Sequence, residues 1–213
     1  MLKSIFWDND GVLVDTERLY YLANKSVFES IGIELTKKMY LEYFLIKGTG
    51  AWHLTKDYGF SQSRLEELRN TRDALFSQMI SMEKMLFEGV RETLSILSEK
   101  YRMSIITGSR RDHFDLIHRT TNILHFFDFV LTAEDFTKYK PDPQPYNIAL
   151  QRSGLKKEEC IIIEDTERGL ASAAAAGIKC IVIPHELSRE GNFSTAYKIL
   201  SSISSLPGIL SEI

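Results

Sequence analysis

Five short apolar runs, each followed by a polar or turn-forming group, constrain this chain more than any other feature of its sequence. The runs occupy residues 4–7, 103–106, 129–132, 160–163 and 180–183. They are rich in isoleucine and valine, and they do not alternate strictly with polar residues. Strands that are buried on both faces have this character, so the runs predict a parallel sheet covered by helices.

Helical periodicity fills most of the segments between these runs. Val90, Leu94 and Leu97 are spaced by four and three residues, as on one face of a helix. Pro143 and Gly154 are suited to the first turn and the end of a second helix. Repeated strand–helix units predict an α/β fold, with a doubly wound, Rossmann-like parallel sheet and right-handed crossovers.

Residues 16–87 interrupt this rhythm. No isoleucine- and valine-rich run occurs there, whereas Leu19, Ala23, Val27 and Ile31 recur at the spacing of a helix. We therefore expect an α-helical subdomain inserted after the first strand. The α/β core would then comprise residues 1–15 and 88–213, and the apolar residues of the tail would pack back onto it.

Composition narrows the functional classes. The chain has 213 residues and a formal net charge of −3, so no global field attracts nucleic acid or an anionic membrane. No apolar stretch approaches the roughly 20 residues of a membrane span. The first residues also lack the basic start and the apolar run, about 7 to 15 residues long, of an export signal. We expect a cytoplasmic monomer that binds neither nucleic acid nor membrane.

Cysteine and histidine do not form a metal-binding pattern. Cys160 and Cys180 lie in apolar runs and are expected to be buried, reduced thiols. Histidines of the second half of the chain lack ligand spacing and are expected in packing or surface positions: His113, His118, His125 and His185.

Polar clusters follow the apolar runs or lie in the loops between units. They are Asp8–Gly11, Thr107–Ser109, residues 140–143 and the pair Glu164 and Asp165. The carboxyl ends of parallel strands share one edge of the sheet, and ligands bind outside that edge. The clusters are therefore expected to converge there.

The acidic residues among them predict a cation site. Asp8 and Asp10 are two positions apart, so an extended backbone directs both side chains to the same side. Glu164 and Asp165 add two more carboxyl groups. Carboxylates this close repel each other unless a cation or a shared proton intervenes. Oxygen ligands beside an anionic substrate favour Mg²⁺, held by these four residues.

The remaining clusters suit a phosphoryl group. Lys140 supplies a positive charge, Thr107 a hydroxyl group, and Gly108 and Ser109 backbone N–H groups before a helix. Asp8 is placed to attack phosphorus as a nucleophile. Asp10, when protonated, would donate to the leaving oxygen and then activate water. Mg²⁺ and Lys140 would offset the charge on the phosphoryl oxygens.

The clusters together resemble a known family. The segments DNDGVLVDTE, IITGS, KPDP and IIIEDTERG match, in order, the four motifs of the haloacid dehalogenase superfamily. The resemblance covers nearly the whole chain, including a helical cap after the first motif, here residues 16–87. Within the superfamily the sequence is similar to the branch of β-phosphoglucomutases, phosphoglycolate phosphatases and small sugar-phosphate phosphatases.

The resemblance implies a role for each motif residue. Asp8 would be the nucleophile and Asp10 the acid/base. The side chains of Asp8 and Asp165 and the carbonyl oxygen of Asp10 would hold Mg²⁺, supported by Glu164. Phosphate would contact the remaining site residues, which are Thr107, Gly108, Ser109 and Lys140.

Residues that differ from the motifs of this branch help to choose among the activities found in it. Asp10 is present, whereas haloacid dehalogenases and phosphonate hydrolases lack this second aspartate. The histidine of β-phosphoglucomutases aligns with Tyr20, their cap arginine with Ala51, and their cap lysine near Thr71. These replacements argue against holding a second phosphate for mutase turnover. The expected function is a Mg²⁺-dependent phosphatase acting on a small phosphate ester, with a β-phosphoglucomutase-type mutase as the alternative.

A receiver-like, non-catalytic phospho-aspartate module is a further alternative. Such modules also assemble acidic residues, a hydroxyl group and a lysine at the edge of a doubly wound sheet. A switch of that kind requires a long-lived aspartyl-phosphate without an acid/base beside it. Asp10 and the helical insertion favour an enzyme.

Overall fold

The computed structural model describes residues 1–212. A six-stranded sheet forms its centre, and every pair of neighbouring strands is parallel. The strands are β1 (Ser4–Trp7), β2 (Arg102–Ile106), β3 (Phe129–Leu131), β4 (Cys160–Glu164), β5 (Lys179–Val182) and β6 (Lys198–Ile199). Their spatial order is β3-β2-β1-β4-β5-β6, which confirms the doubly wound α/β fold class.

Helices cover both faces of this sheet and form the segment between β1 and β2. They are α1 (Glu17–Ser30), α2 (Lys37–Tyr40), α3 (Gln62–Met82), α4 (Val90–Ser98), α5 (Arg111–His118), α6 (Gln144–Ser153), α7 (Glu167–Ala176) and α8 (Leu206–Leu210). A π-helical turn at Leu41–Ile46 extends α2, and a 3₁₀ segment occupies Trp52–Tyr58. No helix within residues 1–212 is both long and apolar enough to cross a membrane.

The strands divide their side chains between two hydrophobic clusters. On β1, Ile5 and Trp7 join one cluster, whereas Phe6 joins the other. On β4, Ile161 and Ile162 separate in the same way. Successive strand residues point to opposite faces, so a strand that is covered twice needs apolar residues at every position.

The expected helix ends are present. Pro143 precedes the first residue of α6, and Gly154 ends that helix in the left-handed conformation. Gly177 ends α7 in the same way, and Thr166 accepts a hydrogen bond from the backbone N–H of Gly169 at its start. This cap places the first turn of α7 directly after the carboxyl end of β4.

A third hydrophobic cluster lies in the segment between β1 and β2. It contains Tyr21, Phe28, Leu35 and Tyr40, all at most 7% exposed. Phe76 of α3 instead packs into one of the clusters beside the sheet. The helical segment therefore has an interior of its own and is also anchored to the sheet domain.

Both cysteines are buried free thiols, as expected. The tail contributes Ile203, Leu206 and Leu210 to one sheet-covering cluster, so it packs on the core as expected. It also contains β6, an exposed strand of two residues that the sequence reading missed. Two residues in a serine-rich segment are too short to show a strand pattern.

Candidate active site

Three adjacent strands bring the predicted site residues to one edge of the sheet. Asp8 follows β1, Thr107 follows β2, and Glu164 is the last residue of β4. In the sheet β1 lies between β2 and β4, so Asp8 is central. Lys140 reaches the same place from the loop before α6, and its ammonium group lies 2.5 Å from Oδ1 of Asp8.

Lys140 is the positive centre of the site. Its Nζ also lies 2.8 Å from Oε1 of Glu164 and donates to the carbonyl oxygen of Ile106 at 3.0 Å. Burial alone would lower the pKa of this ammonium group, but the carboxylates of Asp8 and Glu164 outweigh burial and raise that pKa. Lys140 therefore stays charged at any physiological pH.

Asp8, Glu164 and Asp165 form a buried carboxyl cluster, in which one oxygen atom from each residue lies within 4.8 Å of the other two. Burial is the largest influence on Asp8 and raises its pKa well above the usual value, while Lys140 opposes this shift. Burial likewise raises the pKa of Asp165, and Glu164 adds to that shift. One lysine does not balance three carboxyl groups.

Asp165 is the carboxyl group of this cluster that lacks a hydrogen-bond partner. Both of its carboxyl oxygens are buried and accept no hydrogen bond within residues 1–212. Nε2 of His185 lies 3.0 Å from Oδ2 but is not aligned as a donor. Buried carboxylates are normally paired or coordinate a metal. The cluster therefore fits a hard divalent cation such as Mg²⁺, which prefers oxygen ligands.

Asp10 has a different environment from Asp8. Its Oδ2 accepts hydrogen bonds from the hydroxyl groups of Thr107 at 2.7 Å and Ser109 at 2.8 Å. Its Oδ1 accepts one from Thr16 at 2.6 Å. The Thr107 hydroxyl, which was expected to contact phosphate, thus contacts Asp10 in this structure, and the Ser109 hydroxyl joins it there.

The loop after β2 departs from the expectation in one respect. The backbone N–H of Ser109 is not free, because it donates to Oγ1 of Thr107 at 2.9 Å. A threonine hydroxyl two residues back closes a local turn of this kind. Gly108, which lies between them, is exposed.

Asn9 points away from the two aspartates, as the strand geometry predicts. Its Oδ1 lies 2.8 Å from Nε2 of His118 at the end of α5. Nδ1 of the same ring lies 2.9 Å from Oγ1 of Thr121. Burial is the largest influence on His118 and lowers its pKa to about 4. This neutral imidazole holds the turn that carries Asp8 and Asp10, in agreement with the expected packing role.

Glycine is required where the site is most crowded. A Cβ atom on Gly169 would lie 2.0 Å from the carboxyl carbon of Glu164. Gly11 has φ of +85°, and a Cβ atom there would lie 2.3 Å from Oδ2 of Asp165. Backbone at both positions approaches the acidic cluster more closely than any side chain permits.

A cavity of about 520 Å³ opens above these residues. The end of the cavity at the sheet edge is lined by Asp8, Asp10 and Lys140, and the opposite side is lined by the helical segment between β1 and β2. This volume is within the range of about 300–1,000 Å³ that is typical of small-molecule sites.

Several residues that line this cavity were not predicted as site residues from the sequence, although Arg72 flanks the position near Thr71 where the cap lysine of β-phosphoglucomutases aligns. Glu17, Tyr40, Arg72 and Arg168 all contribute to its wall. Burial raises the pKa of Glu17 to about 7, although the hydroxyl of Tyr40 donates to its Oε2 at 2.6 Å and opposes the shift. Glu17 is the last residue of the first motif segment, and Arg168 lies within the fourth. Their neighbourhood in sequence was the available signal.

The residues singled out in the helical segment occupy different places. Tyr20 and Trp52 line the cavity. The guanidinium of Arg72 lies 5.1 Å from the ring centre of Tyr20 and 6.0 Å from that of Trp52. Ala51 is fully buried in the hydrophobic cluster of this segment, so its methyl group packs rather than facing a ligand.

Comparison with known proteins identifies relatives along most of the chain. A family model described as haloacid dehalogenase-like hydrolase matches residues 5–183. The phosphorylated carbohydrates phosphatase of Thermotoga maritima is 25% identical over 194 residues, which cover 88% of each chain. Hexitol phosphatase B of Escherichia coli (strain K12) is 26% identical over 212 residues, which cover 97% of this chain and 94% of the relative.

A solved structure shows the same fold. CbbY from Rhodobacter sphaeroides, in complex with xylulose-(1,5)bisphosphate, matches with a TM-score of 0.82 at 22% identity. The match covers 97% of this chain and 96% of that one. The inserted helices and the sheet therefore occur together in that structure as well.

Proposed function

This chain belongs to the haloacid dehalogenase-like hydrolases, and we propose that it is a Mg²⁺-dependent phosphatase acting through an aspartyl-phosphate intermediate. One observation carries the proposal. A single lysine, Lys140, bridges Asp8 and Glu164 at the carboxyl ends of neighbouring strands, and Asp10 lies two residues from Asp8.

The substrate class follows from the family and the cavity. The two curated relatives are named for the phosphorylated carbohydrates and hexitols on which they act. We propose a small phosphorylated metabolite of the sugar phosphate or phosphoglycolate class. A cavity of about 520 Å³ holds a molecule of this size.

Asp8 is the proposed nucleophile. Its carboxylate oxygen forms a bond to phosphorus while the bond from phosphorus to the leaving oxygen breaks. Asp10 donates a proton to that leaving oxygen. Water then attacks the phosphorus of the aspartyl-phosphate, Asp10 accepts its proton, and phosphate is released with the Asp8 carboxylate restored.

The phosphoryl group is held by the residues around Asp8. Lys140 offsets its negative charge, and Thr107, Gly108 and Ser109 donate to its oxygen atoms. On binding, the hydroxyl groups of Thr107 and Ser109 would leave Asp10 for the phosphoryl oxygens. That exchange frees one Asp10 oxygen to carry the proton.

Asp8, Asp165, Glu164 and the Asp10 carbonyl oxygen would hold the cation. Bound there, Mg²⁺ would supply positive charge that stabilises the phosphoryl oxygens during transfer. The unpartnered oxygens of Asp165 support this assignment.

Residues 16–87 are the proposed cap, and residues 1–15 and 88–213 the proposed core. Cap side chains close the cavity over the site and would exclude bulk water during transfer. The buried position of Ala51 and the aromatic contacts of Tyr20 with Phe44 and Phe76 do not favour the mutase alternative. The Asp10 hydrogen bonds do not favour a passive receiver-like module.

Hydrolysis of p-nitrophenyl phosphate tests this function. The wild-type protein is expected to turn over with Mg²⁺ and to lose activity when EDTA removes the cation. Asp8→Asn should abolish turnover, whereas Asp57→Asn, an exposed cap residue, should retain it. Turnover by Asp8→Asn would remove the nucleophile assignment.

A further inference from the structure

Arg168 lies where the cap meets the core. It is in the first turn of α7, three residues after Asp165. A Cβ atom on Gly48 of the cap loop would lie 2.7 Å from its Nη1, so the guanidinium group lies directly beneath that loop. Arg168 also lines the cavity.

The other cations of the cavity wall are paired with carboxylates. Nε of Arg72 lies 2.7 Å from Oδ1 of Asp73, and Arg110 lies 3.0 Å from Oδ2 of the same residue. Lys140 is paired with Asp8. These cations already have local counter-ions.

Arg168 forms no ion pair within the part of the chain that the structure describes. Asp165 lies near enough for the guanidinium group to lower the pKa of that carboxyl group, but the two side chains share no hydrogen bond. No carboxylate oxygen of residues 1–212 lies within 4.0 Å of its nitrogens, and its Nε is buried without an acceptor. A guanidinium group cannot lose its proton in a protein, so it cannot relieve this state by neutralising. Arg168 is partly buried as a whole, and the cost falls on its buried Nε–H, because a buried donor without an acceptor is unfavourable.

We propose that Arg168 binds a second negatively charged group of the substrate, on the part that leaves after phosphoryl transfer. The inference rests on the proposed phosphatase function and specifies its substrate class. Such a group is a carboxylate or a second phosphate, and both match the planar fork of a guanidinium. The reacting phosphoryl group has Lys140, Thr107 and Ser109, so Arg168 is available for the other end of the molecule.

Binding to the Asp8→Asn variant, measured by calorimetry, tests this subsite without turnover. Two matched pairs of esters are compared. The first is 2-phosphoglycolate against 2-hydroxyethyl phosphate, which differ in a carboxylate. The second is butane-1,4-diol bisphosphate against its monophosphate, which differ in a phosphate.

In at least one pair, the doubly anionic ester should bind with a Kd at least about tenfold lower than that of its singly anionic partner, as expected for a charge-assisted hydrogen bond. Adding Arg168→Gln should remove this preference and leave the affinity of the singly anionic member unchanged. Arg168→Lys keeps the positive charge but lacks the planar guanidinium group, so it should retain part of the preference for the doubly anionic ester. Arg189→Gln, an equal charge change at an exposed position outside the cavity, should retain all of it.

The pair that shows the preference identifies the second group as carboxylate or phosphate. Equal affinities within both pairs would overturn the proposal, as would an Arg168→Gln variant that weakens both members alike. Turnover of p-nitrophenyl phosphate by the wild type reports separately on the phosphatase function.

Discussion

The ammonium group of Lys140 donates a 2.5 Å hydrogen bond to Oδ1 of Asp8, although 132 positions separate the two residues in the chain. Both side chains are at most 10% exposed. The contact joins the loop before α6 to the end of the central strand β1. It neutralises one of three clustered carboxyl groups and leaves the remaining charge for a cation.

Removing Lys140 should destabilise the protein. Lys140→Ala leaves Asp8 and Glu164 buried without their counter-ion, and breaking a buried pair in this way costs about 3–5 kcal/mol. Urea unfolding of both proteins without Mg²⁺ measures the change. Lys138→Ala is the matched control, because Lys138 is 68% exposed and forms only a surface pair with Asp142; its effect should stay within about 0.5 kcal/mol. Equal effects would show that the buried pair is not a source of stability.

The acidic cluster should bind Mg²⁺ through Asp165. A ligand that binds only the folded state at 100 times its Kd stabilises it by about 2.7 kcal/mol, so Mg²⁺ should raise the melting temperature of the wild type. Asp165→Asn should abolish that increase. Without Mg²⁺ the same variant should be at least as stable as the wild type, because it removes an unpartnered buried carboxyl group. An undiminished Mg²⁺ effect in Asp165→Asn would contradict the assignment.

The contact between Asn9 and His118 should contribute to stability as a pair. Asn9→Leu leaves the buried Nε2–H of His118 without an acceptor, at a cost of about 1–3 kcal/mol. Adding His118→Phe removes the donor that Asn9→Leu leaves unpaired. The loss of stability in the double variant should therefore be smaller than the sum of the losses in the two single variants. Urea unfolding of the four proteins measures this coupling. Strictly additive effects would show that the 2.8 Å contact is not a working hydrogen bond.

Glu17 should make stability depend on pH. Its pKa rises from 4.5 to about 7 in the folded protein, chiefly through burial. Between pH 4.5 and about 7 the folded state therefore holds a proton that the unfolded state has released. The contribution of Glu17 to the free energy of unfolding is full below pH 4.5 and is lost as the pH rises toward 7. The stability of the wild type minus that of Glu17→Gln should fall over this window and then level off. A difference that is constant with pH would show that Glu17 titrates normally.

Local sequence was sufficient to predict those strands and helix ends that a short residue pattern specifies. The isoleucine-rich run before Glu164 became β4, and Gly154 ended α6, because strand burial on two faces and a left-handed helix end each demand particular residue types. The convergence of Asp8, Lys140 and Glu164 followed from the rule that parallel strands end at one edge.

Long-range contacts were beyond local sequence. The exposed strand β6 exists because it pairs with β5, and nothing in its two residues requires that. Pairing of the Thr107 and Ser109 hydroxyl groups with Asp10 depends on the placement of β1 beside β2. The burial of Glu17 and the lack of an ion pair at Arg168 depend on how the helical segment after β1 packs against the sheet domain. Such packing is a tertiary property that periodicity and spacing do not encode.

Location of the phosphoryl group on the enzyme tests the central claim most directly. The Asp10→Asn variant lacks the acid/base that activates water, so the aspartyl-phosphate should accumulate after mixing with p-nitrophenyl phosphate and Mg²⁺. Acid quenching followed by peptide mass spectrometry should find the added phosphoryl group on Asp8, and an Asp8→Asn/Asp10→Asn variant should carry none. A phosphoryl group on any other residue, or full turnover in the absence of the Asp8 carboxylate, would contradict the account.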